Sequence, residues 1–251
     1  MKKVLDGIIT FSLFVMLWQA AASFGGWNSA LLPAPYDVLR AFEEMIDDGV
    51  LYEGIRDSMA RFVVGYGTAV LAGVLLGLVL GWFAKLWQFF NPLVQLLRPI
   101  SPMAWLPFIV LWFGIGDLPA IVIIFISAFF PVLLATVSAV GKIDVTYLKV
   151  ARNFGIRQPF VLTNIVFPAC FPQIATSLHL ALGTAWIFLV SGEMVGAQTG
   201  LGYLIIDARN NMRADILMAD IIVIGAIGLG LDALIGLFEK NISRIWGFTR
   251  G

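Results

Sequence analysis

The sequence predicts an all-α polytopic membrane protein with about six transmembrane helices, and three observations carry that prediction. The chain of 251 residues is 60% hydrophobic and only 13% charged, with a mean hydropathy of +0.92. A soluble domain carries about 25% charged residues, so the bulk of this chain belongs in lipid. Six apolar stretches reach the length of about 20 residues that crosses a hydrocarbon layer. Every lysine falls in alternate connections between those stretches, the asymmetry that orients membrane proteins. The chain therefore reads as one transmembrane domain over residues 1–251.

The first span is expected at 8–24, behind Lys2 and Lys3. That start imitates a secretory signal, but its apolar run is long for one and only 20–23 suggests a cleavage site, so it reads as a retained span. Pro33-Ala34-Pro35 then opens a short amphipathic helix whose apolar face is Val38, Leu39, Phe42, Met45 and Ile46. It suits the outer interface or the protein's own flank. The second span, 60–83, carries Gly65, Ala69, Gly73, Gly77 and Gly81. Four-residue spacing stacks these small residues on one face and lets another backbone approach, which predicts tight packing. Packing is also the reading for Gly225, Gly228 and Gly230 in the last span.

The third span, 93–113, contains Pro99, Pro102 and Pro107. Helix breakers at membrane depth are tolerated where protein or water satisfies the freed backbone groups, so this segment belongs inside the assembly. The fourth, fifth and sixth spans are expected at 118–140, 165–190 and 216–238, with a polar loop at 141–164. If the N-terminus is cytoplasmic, Lys2, Lys3, Lys85, Lys142, Lys149 and Lys240 share that side with Arg152, Arg157, Arg244 and Arg250. Both termini and the 141–164 loop are then cytoplasmic.

Charges within spans are costly and mark candidate sites. Arg98 is expected to snorkel to the cytoplasmic surface, Asp232 to pair with an arginine such as Arg244, and Asp220 to be solvated near the outer mouth. His179, the only histidine, reads as a hydrogen-bonded bundle residue; it leaves no partner set for a metal site or a Ser-His-Asp triad. Glu193 lies in the run 191–203, whose glycines predict a turn suited to a gate or a docking surface. Donors for a small anion would come from Ser101, Gln173, Ser177, His179, Thr184 and Ser191, whereas a neutral heterocycle would use Trp105 and Trp186 instead. Cys170 reads as a small apolar filler. Zero net charge and the lack of a basic tract argue against nucleic acid. No Walker A sequence occurs, so this chain is not itself an ATPase.

The segment 149–169, KVARNFGIRQPFVLTNIVFPA, is basic, turned by a glycine, and re-enters apolar sequence directly. Its spacing resembles the cytoplasmic loop of ABC importer permeases, E-A-A-x3-G-x9-I-x-L-P. Ala151, Gly155, Ile165 and Pro168 match in register, while Lys149 replaces the glutamate and Phe167 the leucine. Leu32-Pro33-Ala34-Pro35, Arg98-Pro99-Ile100-Ser101-Pro102-Met103-Ala104-Trp105 and Gly200-Leu201-Gly202-Tyr203 resemble the nitrate, sulfonate, taurine and bicarbonate branch. The resemblance implies a type I ABC importer permease fold and a permease homodimer. It also implies two cytoplasmic ABC ATPases that bind ATP and Mg, and an extracytoplasmic solute-binding protein. Lys149, Val150, Ala151, Arg152, Asn153, Gly155, Arg157 and Pro168 would couple to the ATPase. The solute would be a sulfonate, taurine, nitrate or similar oxyanion, or alternatively a vitamin precursor or an aromatic acid. A secondary transporter would show interrupted helices in both halves of the chain, and the prolines cluster in one.

Overall fold

The computed structural model describes residues 2–24, 26, 28, 31–144, 146, 149, 151, 153–156 and 158–245. Ten helices are used below: α1 (Lys2–Phe24), α2 (Pro35–Asp47), α3 (Val50–Trp82), α4 (Ala84–Leu97), α5 (Leu106–Phe113), α6 (Asp117–Gly141), α7 (Gln158–Val161), α8 (Phe167–Gly196), α9 (Leu201–Asn210) and α10 (Ala214–Ile245). No strand occurs among the described residues. Contacts divide the chain into two units, 1–58 with 199–227 and 59–198 with 228–251.

In the first unit, the Trp18 indole donates to the Pro33 carbonyl at 3.0 Å. α2 starts on a proline, with the Asp37 carboxylate accepting from the Ala34 N–H at 3.2 Å. Proline suits this position because its missing N–H had no helical acceptor. The expected apolar face of α2 is only half used: Val38 and Met45 are buried, while Leu39 and Ile46 are 63% and 53% exposed. Ser58 Oγ accepts from the Leu201 N–H at 2.9 Å and so caps the start of α9 from α3.

The second unit is built on α6. The small-residue ridge of α3 packs along it: Gly65 faces Ile124, Gly73 Val132, Gly77 Thr136 and Gly81 Val140. Both lists ascend in the same steps, so α3 and α6 run parallel. A Cβ on Gly77 would come within 2.5 Å of Thr136 Cβ, and on Gly81 within 2.7 Å of Val140 Cβ. The packing expected of the ridge is thus present. α8 runs antiparallel to α6: Gly192 and Gly196 meet Ala120 and Pro119 at one end, and Val166, Cys170 and Ile174 cluster with Ala139 and Val140 at the other.

The third span differs from expectation. It is no single helix over 93–113 but begins at Ala84, and α4 meets the Pro102–Phe113 segment at a bend of 83°. Pro99 and Pro102 remove backbone donors there, which ends α4. The segment nevertheless crosses. Val94 packs on Leu133 and Val137, whereas Leu106 and Ile109 pack on Ile123, so the chain climbs α6 in the reverse direction. Parallel packing of α3 and α6 requires such a return, which makes the bent pair one crossing and brings the total among the described residues to six.

The other spans extend beyond the apolar runs. α3 starts at Val50, α8 ends at Gly196, and α10 runs from Ala214 to Ile245. Residues 191–196 are accordingly helix rather than turn, and the glycine turn is confined to 197–200. Asp220 is fully buried, not solvated.

Candidate functional site

At the α6 N-terminus of the second unit, Arg61 of α3 joins two carboxylates. Its Nη1 donates to Glu193 at 2.6 Å, and its Nε and Nη2 to Asp117 at 2.7 and 2.6 Å. Arg61 and Glu193 are buried, while Asp117 is 67% exposed. The Gly116 N–H donates to the Gly196 carbonyl at 2.8 Å beside them. Arg61 therefore joins α3 to the ends of α6 and α8 inside the bundle, and Glu193 offers no exposed carboxylate. Sequence reading singled out Glu193 but not Arg61. The available signal was a cation near the start of an apolar stretch, on the same side as Asp117.

The far end of the unit carries the 141–168 segment. Lys85 follows α3, and α3 ends against Val140, so Lys85, Lys142 and Lys149 share this end. The Asp144 carboxylate accepts from the Thr146 N–H at 2.8 Å and from its hydroxyl at 2.7 Å. The N–H bond most of all holds Asp144 below the ordinary carboxylate range. Thr146, Lys149, Ala151 and Asn153 are helical. Ala151 is 1% exposed and belongs to the cluster of Val140, Val166, Cys170 and Ile174.

That short helix closes on Gly155, whose φ is +67°. The Ile156 N–H donates to the Ala151 carbonyl at 3.1 Å, the bond of a Schellman cap. A glycine is required because a Cβ disfavours this backbone region. Among the described residues, its chain neighbours aside, nothing lies within 4 Å of where that Cβ would stand. Lys149 and Asn153 are exposed, Phe154 is 79% exposed and Phe160 58%. A π-helical turn over Leu162–Val166 leads into α8, with Pro168 in its first turn. Val150, Arg152 and Arg157 lie outside the described residues.

Between these ends, α6 and α8 face a cavity of about 540 Å³. It unites three of the expected pathway residues, Gln173, Ser177 and Thr184, with Ser127 and Ser138 of α6 and Arg98 from the α4 bend. The remaining candidates do not line it. Ser101 is exposed and Trp105 half-buried in the 3-10 turn Pro102–Trp105 and its cap. Ser191 Oγ donates to the Ile187 carbonyl at 3.2 Å. Trp186 is buried, edge-on to Phe62 and against Gly228. Only Gly228 of the α10 glycines meets another side chain so closely; Gly225 and Gly230 face open space.

His179 lies outside the cavity, bonded to Asp232 at 2.6 Å and 3.6 Å from Glu239. The described partner of Asp232 is thus His179, and the Arg244 side chain is outside the described residues. Arg98 also departs from expectation. Val94 packs on Leu133 and Val137 and Leu106 on Ile123, which brackets Arg98 at the middle turns of α6, roughly 14 Å from its end. It therefore stands level with mid-α6, with an exposed side chain that lines the cavity.

Residues 69–244 match the family model of the binding-protein-dependent transport system inner membrane component. A putative aliphatic sulfonates transport permease protein of Bacillus subtilis is 28% identical over 96% of this chain and 87% of its own length. The taurine transport system permease protein of Escherichia coli is 30% identical over 93% and 88%. In fold, the chain resembles an inward-facing MetNI methionine ABC transporter, with a TM-score of 0.67 at 21% identity over 83% of this chain and 99% of that one. Six crossings, the matched model and this likeness agree: the chain is a multi-pass membrane protein with the type I ABC importer permease fold, and it belongs to the binding-protein-dependent transport system inner membrane component family.

Proposed function

We propose that this chain is the translocation subunit of an ATP-driven importer for a small oxyanion such as a sulfonate or taurine. Two copies would form the membrane pathway, with a cytoplasmic ATPase seated on each 149–161 segment and a solute-binding protein on the opposite side. ATP and Mg²⁺ would be bound by the ATPases, and this chain would catalyse no reaction. The single observation that carries the reading is the form of that segment. Ala151 anchors it in the core, Gly155 caps it, and Phe154 and Phe160 stand 79% and 58% exposed beyond the membrane helices. Exposed aromatic side chains on a capped helical turn are what a rigid protein partner grips. Lysines at the same end support a cytoplasmic location for it by the positive-inside rule. The sulfonate and taurine relatives support the solute class.

Gly155 provides the test. In Gly155→Leu the strain of a left-handed side chain, about 1–2 kcal/mol, opens the cap without a clash inside the chain. Binding-protein-driven uptake and co-purification of the ATPase should both fail while the permease still inserts in membranes. Gly155→Asn tolerates the same backbone and should retain both activities. Full uptake by Gly155→Leu would place the ATPase contact elsewhere.

A further inference from the structure

We infer that the cavity between α6 and α8 is the binding site for the solute's anionic head group, with Arg98 as the residue that selects charge. The assignment presupposes the importer reading above and adds the site to it. Among the described residues, Arg98 is the only charged one lining the cavity. Among the other described arginines, Arg56, Arg61 and Arg213 each hold a carboxylate within 3.0 Å, Arg40 stacks on Tyr36 and Arg209 bonds Asn210. No side-chain hydrogen bond or ion pair of Arg98 occurs among the described residues. Arg98 is exposed to the cavity, and an ionisable side chain within a membrane span marks a candidate ion site by default.

The polar lining divides by what each group has left to give. Ser127, Ser177 and Thr184 spend their hydroxyl protons on the carbonyls of Ile124, Ile174 and Ala181 at 2.7, 2.7 and 3.0 Å. They face the cavity as acceptors and cannot hold an anion in that state. Gln173 and Ser138 make no such bond among the described residues, so their donors remain available beside the guanidinium. A planar guanidinium pairs two oxygens of a sulfonate or carboxylate at once. The other walls are apolar, with Ile126, Phe130, Leu134, Leu180 and Phe188. A cavity of about 540 Å³ with one cation and one apolar side suits an organic oxyanion carrying a short aliphatic tail better than a bare inorganic one.

The same guanidinium would also attract a lipid phosphate, and thiol labelling separates the two. In a Cys170→Ala background, Thr184→Cys is treated with sulfonatoethyl methanethiosulfonate or with its trimethylammonium counterpart. The anion-to-cation rate ratio, normalised to a free thiol, should exceed unity by roughly a hundredfold, the anion speeded and the cation slowed about tenfold each. A unit charge about 10 Å away at an effective dielectric near 20 has that effect. Arg98→Gln should abolish the preference and Arg98→Lys keep it, which guards against loss through misfolding. Millimolar ethanesulfonate should slow labelling with Arg98 present and not in Arg98→Gln. A ratio unchanged by Arg98→Gln would overturn the assignment. So would a preference that vanishes in lipid without anionic head groups but ignores ethanesulfonate, which would make Arg98 a lipid anchor. Labelling needs neither ATPase nor binding protein, so its failure is distinct from failure of the importer reading, which the Gly155 variants decide.

Discussion

The Arg61 network makes an unequal prediction for its two carboxylates. Glu193 is fully buried, whereas Asp117 is 67% exposed. Glu193→Gln removes the charge that balances a buried guanidinium, a loss of about 3–5 kcal/mol when one partner of a buried pair is taken away. Asp117→Asn touches a solvated pair worth roughly 0–1 kcal/mol. At about 2–4 °C per kcal/mol for a chain of this size, the first variant should melt roughly 6–20 °C lower and the second less than about 4 °C lower. Size-exclusion thermal stability in one detergent, at neutral pH, measures both. A double replacement, Arg61→Met with Glu193→Leu, removes the charges together and should cost less than Glu193→Gln alone, because no uncompensated ion remains. Equal shifts for the two carboxylates, or a double variant worse than the single, would refute the view that burial sets the value of this pair.

Gly77→Ala puts a methyl 2.5 Å from Thr136 Cβ, so it should destabilise by about 1–3 kcal/mol, read in the same melt. Gly225→Ala faces open space and should leave the melting temperature unchanged or raise it. Glu44 is held below the ordinary carboxylate range mainly by its bond to Arg213. A depressed carboxylate stabilises above its unfolded pKa, and that contribution disappears as pH falls through the folded value. Glu44→Gln should therefore lower the melting temperature at neutral pH and match the parent in acid; an equal deficit at both would assign the effect to packing. In a Cys170→Ala background, Asn153→Cys and Asp47→Cys should react with an impermeant thiol reagent from opposite faces of the membrane, and reaction of both from outside would reverse the orientation.

How much was legible depended on how local each signal is. The glycine ridge could be read because four-residue spacing has one geometric meaning, packing; Gly155 marked only a turn, and its left-handed cap appears in the structure. The helix limits were less legible. Hydropathy marks where lipid begins, whereas helices continue past it as long as backbone bonds and caps hold, as α3 does back to Val50. Arg98 was misplaced because a cation beside a proline looks terminal in one dimension. Only packing of Val94 and Leu106 on α6 fixes its depth. Arg61 was missed for the same reason, since its partners Asp117 and Glu193 lie far along the chain.

The arrangement also bears on how a pull on the loop would reach the cavity. Ala151 shares its cluster with Val140 of α6 and with Val166, Cys170 and Ile174 of α8. Gln173 and Ser177 follow on the same helix and line the cavity, and Glu193 closes its far end against Arg61. A force on the loop is therefore applied to an antiparallel pair pinned at the opposite end by a buried ion pair and free to part only in between. Packed interfaces respond to such loads by switching between discrete arrangements rather than by stretching. Under the proposed function the ion pair would act as the fulcrum, and loosening it should uncouple loop from cavity. Under the proposed function, Glu193→Gln should hydrolyse ATP with its partner subunits yet lose the dependence of that hydrolysis on loaded binding protein. Retention of full dependence would show that the pair only holds the fold together.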